Sequence, residues 1–423
     1  MKIDLLKNKN VFTDTSIKND VTERFLRYVK IDTESSEESG THPSTMTQFE
    51  LARCLVNELK EMGIEDVYLD EQMCYVYGSL PGNRETDQVI GFIAHMDTAP
   101  DYTGTGVNPR VIACYDGQDI ELNPDVIMKV EDFPDLPSLK GKRLIVTDGN
   151  TLLGGDDKAG IACIMDALQY YQQHPEVKHG RIAVCFTPDE EIGNGPKYFD
   201  IEKFGAEFAY TMDGGNIEEV SDETFNAASA KLTFHGFSIH PGSGKDKLIN
   251  AASLACQYQS LLPQHMTPEH TSGREGFIHL TSIEAGSASA VSEYIIRDHD
   301  RTKLQEKKDL MKAAVDYLNA QYGTGTVAIE IQDSYHNMKE VLDAHPQAVE
   351  TAYRALKELG IDGVSDPIRG GTDGAELSLR GLPCPNLGNG DRNCHGRYEY
   401  CVVEEMQLAA ELIKKIVALI EEA

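Results

Sequence analysis

The run VIGFIAH, residues 89–95, is nearly all apolar and ends on the histidine that opens HMD. A strand that hides side chains on both faces reads this way, and such a strand belongs in the middle of a covered sheet. A second run, RIAVCFT at 181–187, leads directly into PDEE, and a third, at 207–212, leads into MDGG. Between them, Ile161, Ile164, Met165 and Leu168 recur at helical spacing within 158–173. Upstream, 19–31 and 44–62 read as amphipathic helices. Phe49, Leu51, Ala52, Leu55, Leu59 and Met62 mark the second, which Gly63 closes. Short strands are expected around 66–79. Strands and helices alternating in this way predict an α/β domain, a mixed sheet with helices on both faces.

The pattern changes near 226. AKLTFHGF reads as a strand, 247–262 as a helix, 277–284 and 290–300 as strands, 301–321 as a helix and 326–335 as a last strand. The order β-α-β-β-α-β is the ferredoxin-like arrangement. It predicts a compact α+β domain over 226–335, inserted into a larger domain formed by 1–225 and 336–423. The chain then returns through a helix at 344–359, the loop RGGTDG at 369–374, and helices at 374–380 and 403–421. A length of 423 residues suits two domains rather than one core.

Composition narrows the partners. The formal charge is −30, which favours solubility and repels polyanions. Nucleic acid and anionic membrane surfaces are therefore not expected partners. The nine cysteines are odd in number and contain no CxxC pair. That usage points to a reduced, cytoplasmic compartment. The N-terminus, MKIDLLKNKNVFTDT, has no apolar signal core, and no apolar run reaches the roughly 20 residues of a membrane span.

The chemistry lies in five motifs: HMD at 95–97, GGDD at 154–157, PDEE at 188–191, MDGG at 212–215 and NCHG at 393–396. They supply two imidazoles and several carboxylates, enough to hold two cations about 3.5–4 Å apart. His95 and Asp97 stand two apart at a strand end, so both face one way; Asp97 either fixes the imidazole or caps a turn. In GGDDKAG, two glycines let the backbone fold tightly, and one carboxylate could bridge two cations. The plainer reading is an acidic helix N-terminus. The two glutamates of PDEE diverge, so one can bind metal while its neighbour handles a proton. A solvated acidic turn is the plainer reading there, and an idle thiol is the simpler reading of Cys394. RGGTDG lacks the GK[ST] of a phosphate loop.

With FIAHMDTAPD, TLLGGDDKAGIA, FTPDEEIGNG, YTMDGG, IHPGSGK, YIIRDHDR, PIRGGTDGAELS, GLPCPNLGNG and NCHG in this order, essentially the whole chain resembles the peptidase T family. These are dizinc aminotripeptidases of the co-catalytic metallopeptidase superfamily. The resemblance implies two zinc ions per subunit. His95 and Asp213 would hold one, Glu191 and His395 the other, and Asp156 would bridge them. Asp97 would orient His95, and Glu190 would be the general base. His240, in the inserted domain, would stabilise the oxyanion, although an ordinary surface histidine reads the same. Arg297 would clamp the substrate carboxylate, with Arg369 and Asn250 as further substrate contacts. The expected activity is release of the N-terminal residue from short peptides, preferentially tripeptides. The alternatives are a dizinc carboxypeptidase or N-acyl amino acid deacylase and, from another class, a non-catalytic metal-binding scaffold. Some relatives pair through the inserted domain, so a homodimer through it is a further expectation.

Overall fold

The computed structural model describes residues 20–420 other than Glu85 and Asp87. The stretch MKIDLLKNKNVFTDT and the outermost residues of the helices expected over 19–31 and 403–421 lie outside them. The chain divides into two compact units. Of the described residues, one comprises 20–222, 340–366 and 372–420; the other comprises 223–339 with 367–371.

In the larger unit the three apolar runs are neighbouring parallel strands. Val89–His95 lies between Arg181–Thr187 and Phe208–Gly214, with His95 opposite Thr187. Parallel neighbours end at one sheet edge, so residues that follow them meet in space without being close in sequence. The full order is Glu65–Leu69, Val76–Leu80, Arg181–Thr187, Val89–His95, Phe208–Gly214, Asn386–Gly388, Glu219–Ser221, Val364–Ser365. The first two strands run antiparallel to their neighbours, as does Glu219–Ser221 against Asn386–Gly388, so the sheet is mixed.

Strand alternation explains the continuous hydrophobicity. Phe92, Ala94, Ile182, Val184, Phe186 and Tyr210 pack into one layer with the helices Val21–Tyr28, Gln48–Glu61, Gly155–Gln173, Gln347–Glu358 and Val403–Ile420. The intervening Ile93, Ala183, Cys185 and Ala209 pack into the opposite layer with Phe204 and Leu377, from the helices Ile201–Phe204 and Asp373–Leu379. Each fully buried large apolar side chain contributes roughly 1.5–3 kcal/mol. The helix expected at 344–359 begins instead at Gln347. Pro346 breaks the run, and Lys339–Ala344 forms a separate helix before it.

A second, antiparallel sheet of the larger unit orders Asp391–Arg392, Tyr400–Val402, Leu144–Val146 and Arg110–Ile112. Its strands precede GGDD and NCHG closely in sequence, and they carry those loops.

The smaller unit is ferredoxin-like. Its strands Asn226–His235, Phe277–Ala285, Ser289–Asp298 and Val327–Asp333 lie in the spatial order second, third, first, fourth, all antiparallel. Ala251–Leu261 and Arg301–Tyr322 cover one face through Leu254, Tyr258, Met311 and Leu318. The sequence boundaries leave 223–225, 336–339 and 367–371 with the larger domain, whereas by packing they belong here. Ile368 donates to the Glu223 carbonyl and Arg369 to those of Gly273 and Glu275. No helix among the described residues is long and apolar enough to cross a membrane.

Candidate metal centre

The larger unit brings His95, Asp156, Glu191, Asp213 and His395 together. His95 Nε2 stands 2.7 Å from Asp156 Oδ1 and 3.6 Å from Asp213 Oδ1. His395 Nε2 stands 3.3 Å from Asp156 Oδ2 and 3.0 Å from Glu191 Oε2. The two oxygens of Asp156 therefore face two different imidazoles. Candidate ligand atoms of His95, Asp156 and Glu191 lie within 4.8 Å of one another, as do those of His95, Asp157 and Asp213.

Local backbone explains each placement. His95 is the last residue of its strand, and its Nδ1 lies 3.1 Å from the Asp97 carbonyl oxygen and 3.4 Å from Asp97 Oδ1. A ring nitrogen occupied in this way leaves Nε2 to face the cluster. Asp97 also accepts the backbone N–H groups of Glu190 at 3.0 Å and Glu191 at 3.1 Å. Asp97 is fully buried, so one carboxylate lies against both the imidazole and the turn. Asp189 fixes the same turn from the other side. It sits at φ 58 and accepts from Ser44 N and Oγ and from Gln48 Nε2 at 2.6–2.7 Å. Asp213 is held by its main chain: Asn386 Oδ1 accepts its N–H and Asn386 Nδ2 donates to its carbonyl.

The GGDD loop winds around a carboxylate that the sequence did not flag. Buried Glu399 accepts the N–H groups of Leu153, Gly154, Gly155 and Asp156 at 2.6–3.2 Å. Gly154, at φ +82, supplies the left-handed turn this needs. The helical hydrogen-bond pattern opens at Gly155, but Asp156 and Asp157 keep non-helical angles. Asp157, although near His95 and Asp213, is already satisfied. It accepts from the His95 N–H, the Gly160 N–H and Asn389 Nδ2. A side chain at Gly160 would collide with the Met212 carbonyl and the Asp157 carboxylate, which explains the glycine of GGDDKAG. The NCHG loop carries Asn393 at φ 55 and His395 at φ 64, a strain tolerated where a side chain must be aimed. Sequence reasoning thus missed Glu399, Asp157, Asp189, Asn386 and Asn389. Asp157 and Asp189 lay inside noted motifs, and the asparagines inside PNLGNG. No motif marks Glu399.

Crowded carboxylates set the electrostatics. Burial, then the charge of Asp156, pushes Glu191 up to about 8 and Asp213 up to about 6. Burial and Asp213 hold Glu190 well above the usual carboxylate range. Hydrogen bonds to Asp156 and Glu191 raise His395 to about 11. Burial pulls His95 down, but Asp213, Asp156 and Asp97 outweigh it and raise it well above the usual imidazole range. Burial likewise opposes ionisation of Asp156, yet hydrogen bonds from both imidazoles keep its carboxyl far below the ordinary range. Glu191 Oε1 is buried with no hydrogen-bond partner. The set fits a divalent cation, which would replace the protons and offset the crowded negative charge.

The remaining expected residues lie in the smaller unit. His240 is exposed and its Nδ1 accepts from the Gly242 N–H. Asn250 caps the helix Ala251–Leu261 through Ser253 N–H. Arg297 donates to the Ala228 and Ile296 carbonyls and stacks over the Tyr335 ring at 5.3 Å. Arg369 lies over Phe225 and Phe277 and donates to Gly273, Glu275 and Thr271.

The model of peptidase family M20/M25/M40 matches residues 146–419. Peptidase T of Alkaliphilus oremlandii is 52% identical over 404 residues, covering 94% of this chain and 98% of that protein. Peptidase T of Geobacillus thermodenitrificans is 51% identical over 409 residues, covering 96% and 99%. Among solved structures, the aminopeptidase PepT of Bacillus cereus ATCC 10987 superposes with a TM-score of 0.74 at 24% identity, over 94% of this chain and 97% of that one. A tripeptidase of Staphylococcus aureus subsp. aureus mu50 also gives 0.74, at 21% identity over 95% and 98%. These two likenesses establish the shared fold. With half its residues in common with full-length relatives, the chain belongs to the peptidase T family of the M20/M25/M40 peptidases.

Proposed function

We propose that this peptidase is a zinc-dependent aminopeptidase that releases the N-terminal residue of short peptides, preferentially tripeptides. The observation that carries the metal centre is Asp156, one oxygen towards His95 and the other towards His395. In this reading His95 and Asp213 would hold one zinc and Glu191 and His395 the other, with Asp156 shared between them. Nitrogen and carboxylate oxygen donors suit zinc, and the orphaned Glu191 Oε1 is an oxygen in want of a partner. Two bound zinc ions would polarise the scissile carbonyl and make water acidic. Glu190, left out of the ligand set, takes the proton from the attacking water and returns it to the leaving amine. Asp97 keeps His95 oriented and Glu190 and Glu191 in register. On the inserted domain we assign His240 to the oxyanion and Arg297 to the substrate carboxylate, with Asn250 and Arg369 as minor contacts. The names of the relatives support the substrate class. Nine unpaired cysteines are compatible with a cytoplasmic setting.

The rivals are a carboxypeptidase or an N-acyl amino acid deacylase, and a metal-binding scaffold without turnover. A panel of free and N-acetylated tripeptides, run with metal analysis, separates them. Cleavage of free peptides only, at the first bond, is expected. Preferential cleavage of acetylated substrates, or bound metal without turnover, would overturn the reading.

A further inference from the structure

RGGTDG contributes no ligand to the metal centre, yet its aspartate is 4% exposed. Asp373 opens the helix Asp373–Leu379 in the larger unit, and Thr372 fixes that first turn by accepting the Ala375 N–H. Asp373 Oδ2 accepts the Thr187 hydroxyl at 2.8 Å. The same carboxyl lies against Gly195, where a Cβ would collide with both of its oxygens. Thr187 ends the strand that leads into PDEE, and Gly195 lies just beyond PDEE. One carboxyl therefore touches both ends of the segment that carries Glu190 and Glu191. That segment is closed on itself: Gly193 donates to the Glu190 carbonyl at 2.6 Å and Asn194 to the Asp189 carbonyl at 2.9 Å. Its ends are anchored further, since the Thr187 carbonyl accepts the Met96 N–H and the Gly195 carbonyl accepts the Tyr75 hydroxyl. Burying a carboxyl costs free energy that an apolar side chain would not; what it adds here is an acceptor aimed at Thr187. Burial, then Asp213, raises the Glu190 carboxyl, and the charge of Asp373 acts in the same direction, so the two carboxyls are near neighbours.

We propose that Asp373 is a positioning residue for proton transfer: by bracing Thr187 and Gly195 together it fixes where Glu190 stands. The proposal rests on the reading of Glu190 as general base. Glu191 has an anchor of its own in His395, 3.0 Å away, and in the metal it would hold. Glu190 lies outside the ligand set and takes its position from the loop. Asp97 holds the N–H groups of both glutamates, and Asp373 holds the ends of the segment. A misplacement of about 1 Å in a reacting group can cost on the order of 100-fold in rate. Loss of the brace is thus felt in kcat, through Glu190, and not in metal binding.

The test is tripeptide kinetics on the zinc-loaded enzyme, with zinc content measured beside it. Asp373→Ala should lower kcat about 30-fold, with KM within about twofold of the parent and zinc content unchanged. Asp373→Asn keeps an acceptor oxygen and the volume against Gly195, and should return kcat to within about threefold of the parent. In a Glu190→Gln background, Asp373→Ala should cost less than about twofold more, because the group it positions is already gone. Where Asp373→Ala does not fold, Thr187 carries the same test. Thr187→Val deletes the donor at constant shape and should lower kcat about tenfold, but not in the Glu190→Gln background, while Thr187→Ser keeps the hydroxyl and most of the activity. Undiminished losses in the Glu190→Gln background, loss of zinc, Asp373→Asn as damaging as Asp373→Ala, or equal activity of the two Thr187 variants overturns the brace and leaves the aminopeptidase reading intact. If Glu190→Gln alone leaves kcat unchanged, the base assignment falls and the brace with it.

Discussion

Glu190 and Glu191 are adjacent in the chain and unequal in their surroundings. Glu191 Oε2 faces His395 Nε2 at 3.0 Å, whereas burial and the charge of Asp213 hold the Glu190 carboxyl well above the usual range. Glu190→Gln should therefore lower kcat about 100-fold or more and leave the metal content near that of the parent. Metal analysis beside the kinetics checks it; a metal-free Glu190→Gln with a metal-loaded Glu191→Gln would reverse the two roles. Asp156 touches both imidazoles, so Asp156→Ala should remove both metals, whereas His95→Ala and His395→Ala should each weaken mainly one. Metal titrations that give the same single-site loss in all three variants would contradict bridging. The protonation of the metal-free cluster adds a pH dependence. Glu191 raised to about 8 and His395 raised to about 11 both carry protons at pH 7, and a ligand set must shed them. Metal affinity should therefore fall as pH falls from 8 to 6, about tenfold per unit for each proton released. Calorimetry in buffers of different ionisation enthalpy counts those protons, and a count of zero would refute the argument.

At the scale of elements, the site depends on loops tied by carboxylates that touch no metal. Glu399 gathers four N–H groups of the loop that delivers Asp156, from a position 243 residues further along the chain than Asp156. Glu399→Gln replaces one acceptor oxygen with a donor facing N–H groups. We expect metal affinity to drop about 10–100-fold, the usual consequence of disturbing a ligand's supporting shell. Unchanged metal affinity, read by competition with a chelator, would show that the loop holds its shape without that oxygen. Asp157 carries a related lesson. Adjacent to Asp156 but fully buried, it accepts three hydrogen bonds, so Asp157→Asn should disturb the loop rather than leave it unchanged.

At the scale of the whole molecule, the proposal divides labour between two units: metals and proton transfer on one, His240 and Arg297 on the other. If Arg297 binds the substrate carboxylate, peptide length matters, because an extended chain gains about 3.3–3.6 Å per residue. Arg297→Ala should raise KM for tripeptides and flatten the preference over dipeptides and tetrapeptides. Amidating the C-terminus of a tripeptide should have the same effect on the parent enzyme. Equal cleavage of amidated and free tripeptides would remove Arg297 from this role.

The sequence by itself determined the sheet and its loaded edge. VIGFIAH and RIAVCFT can be buried on both faces only as central strands, and a parallel pair must deliver HMD and PDEE to one edge. It also determined the ferredoxin-like order of the inserted unit, because each of its elements carries its own period in its side chains. Tertiary structure alone decided which carboxylates face the imidazoles and which serve the backbone. Asp156 and Asp157 are chemically the same and adjacent; they differ only in what the fold sets beside them, two histidines for one and three N–H donors for the other. The same holds for Glu399. Its partners lie far away in the chain, and a hydrogen-bond acceptor leaves no periodic trace in sequence from which that distance could be read.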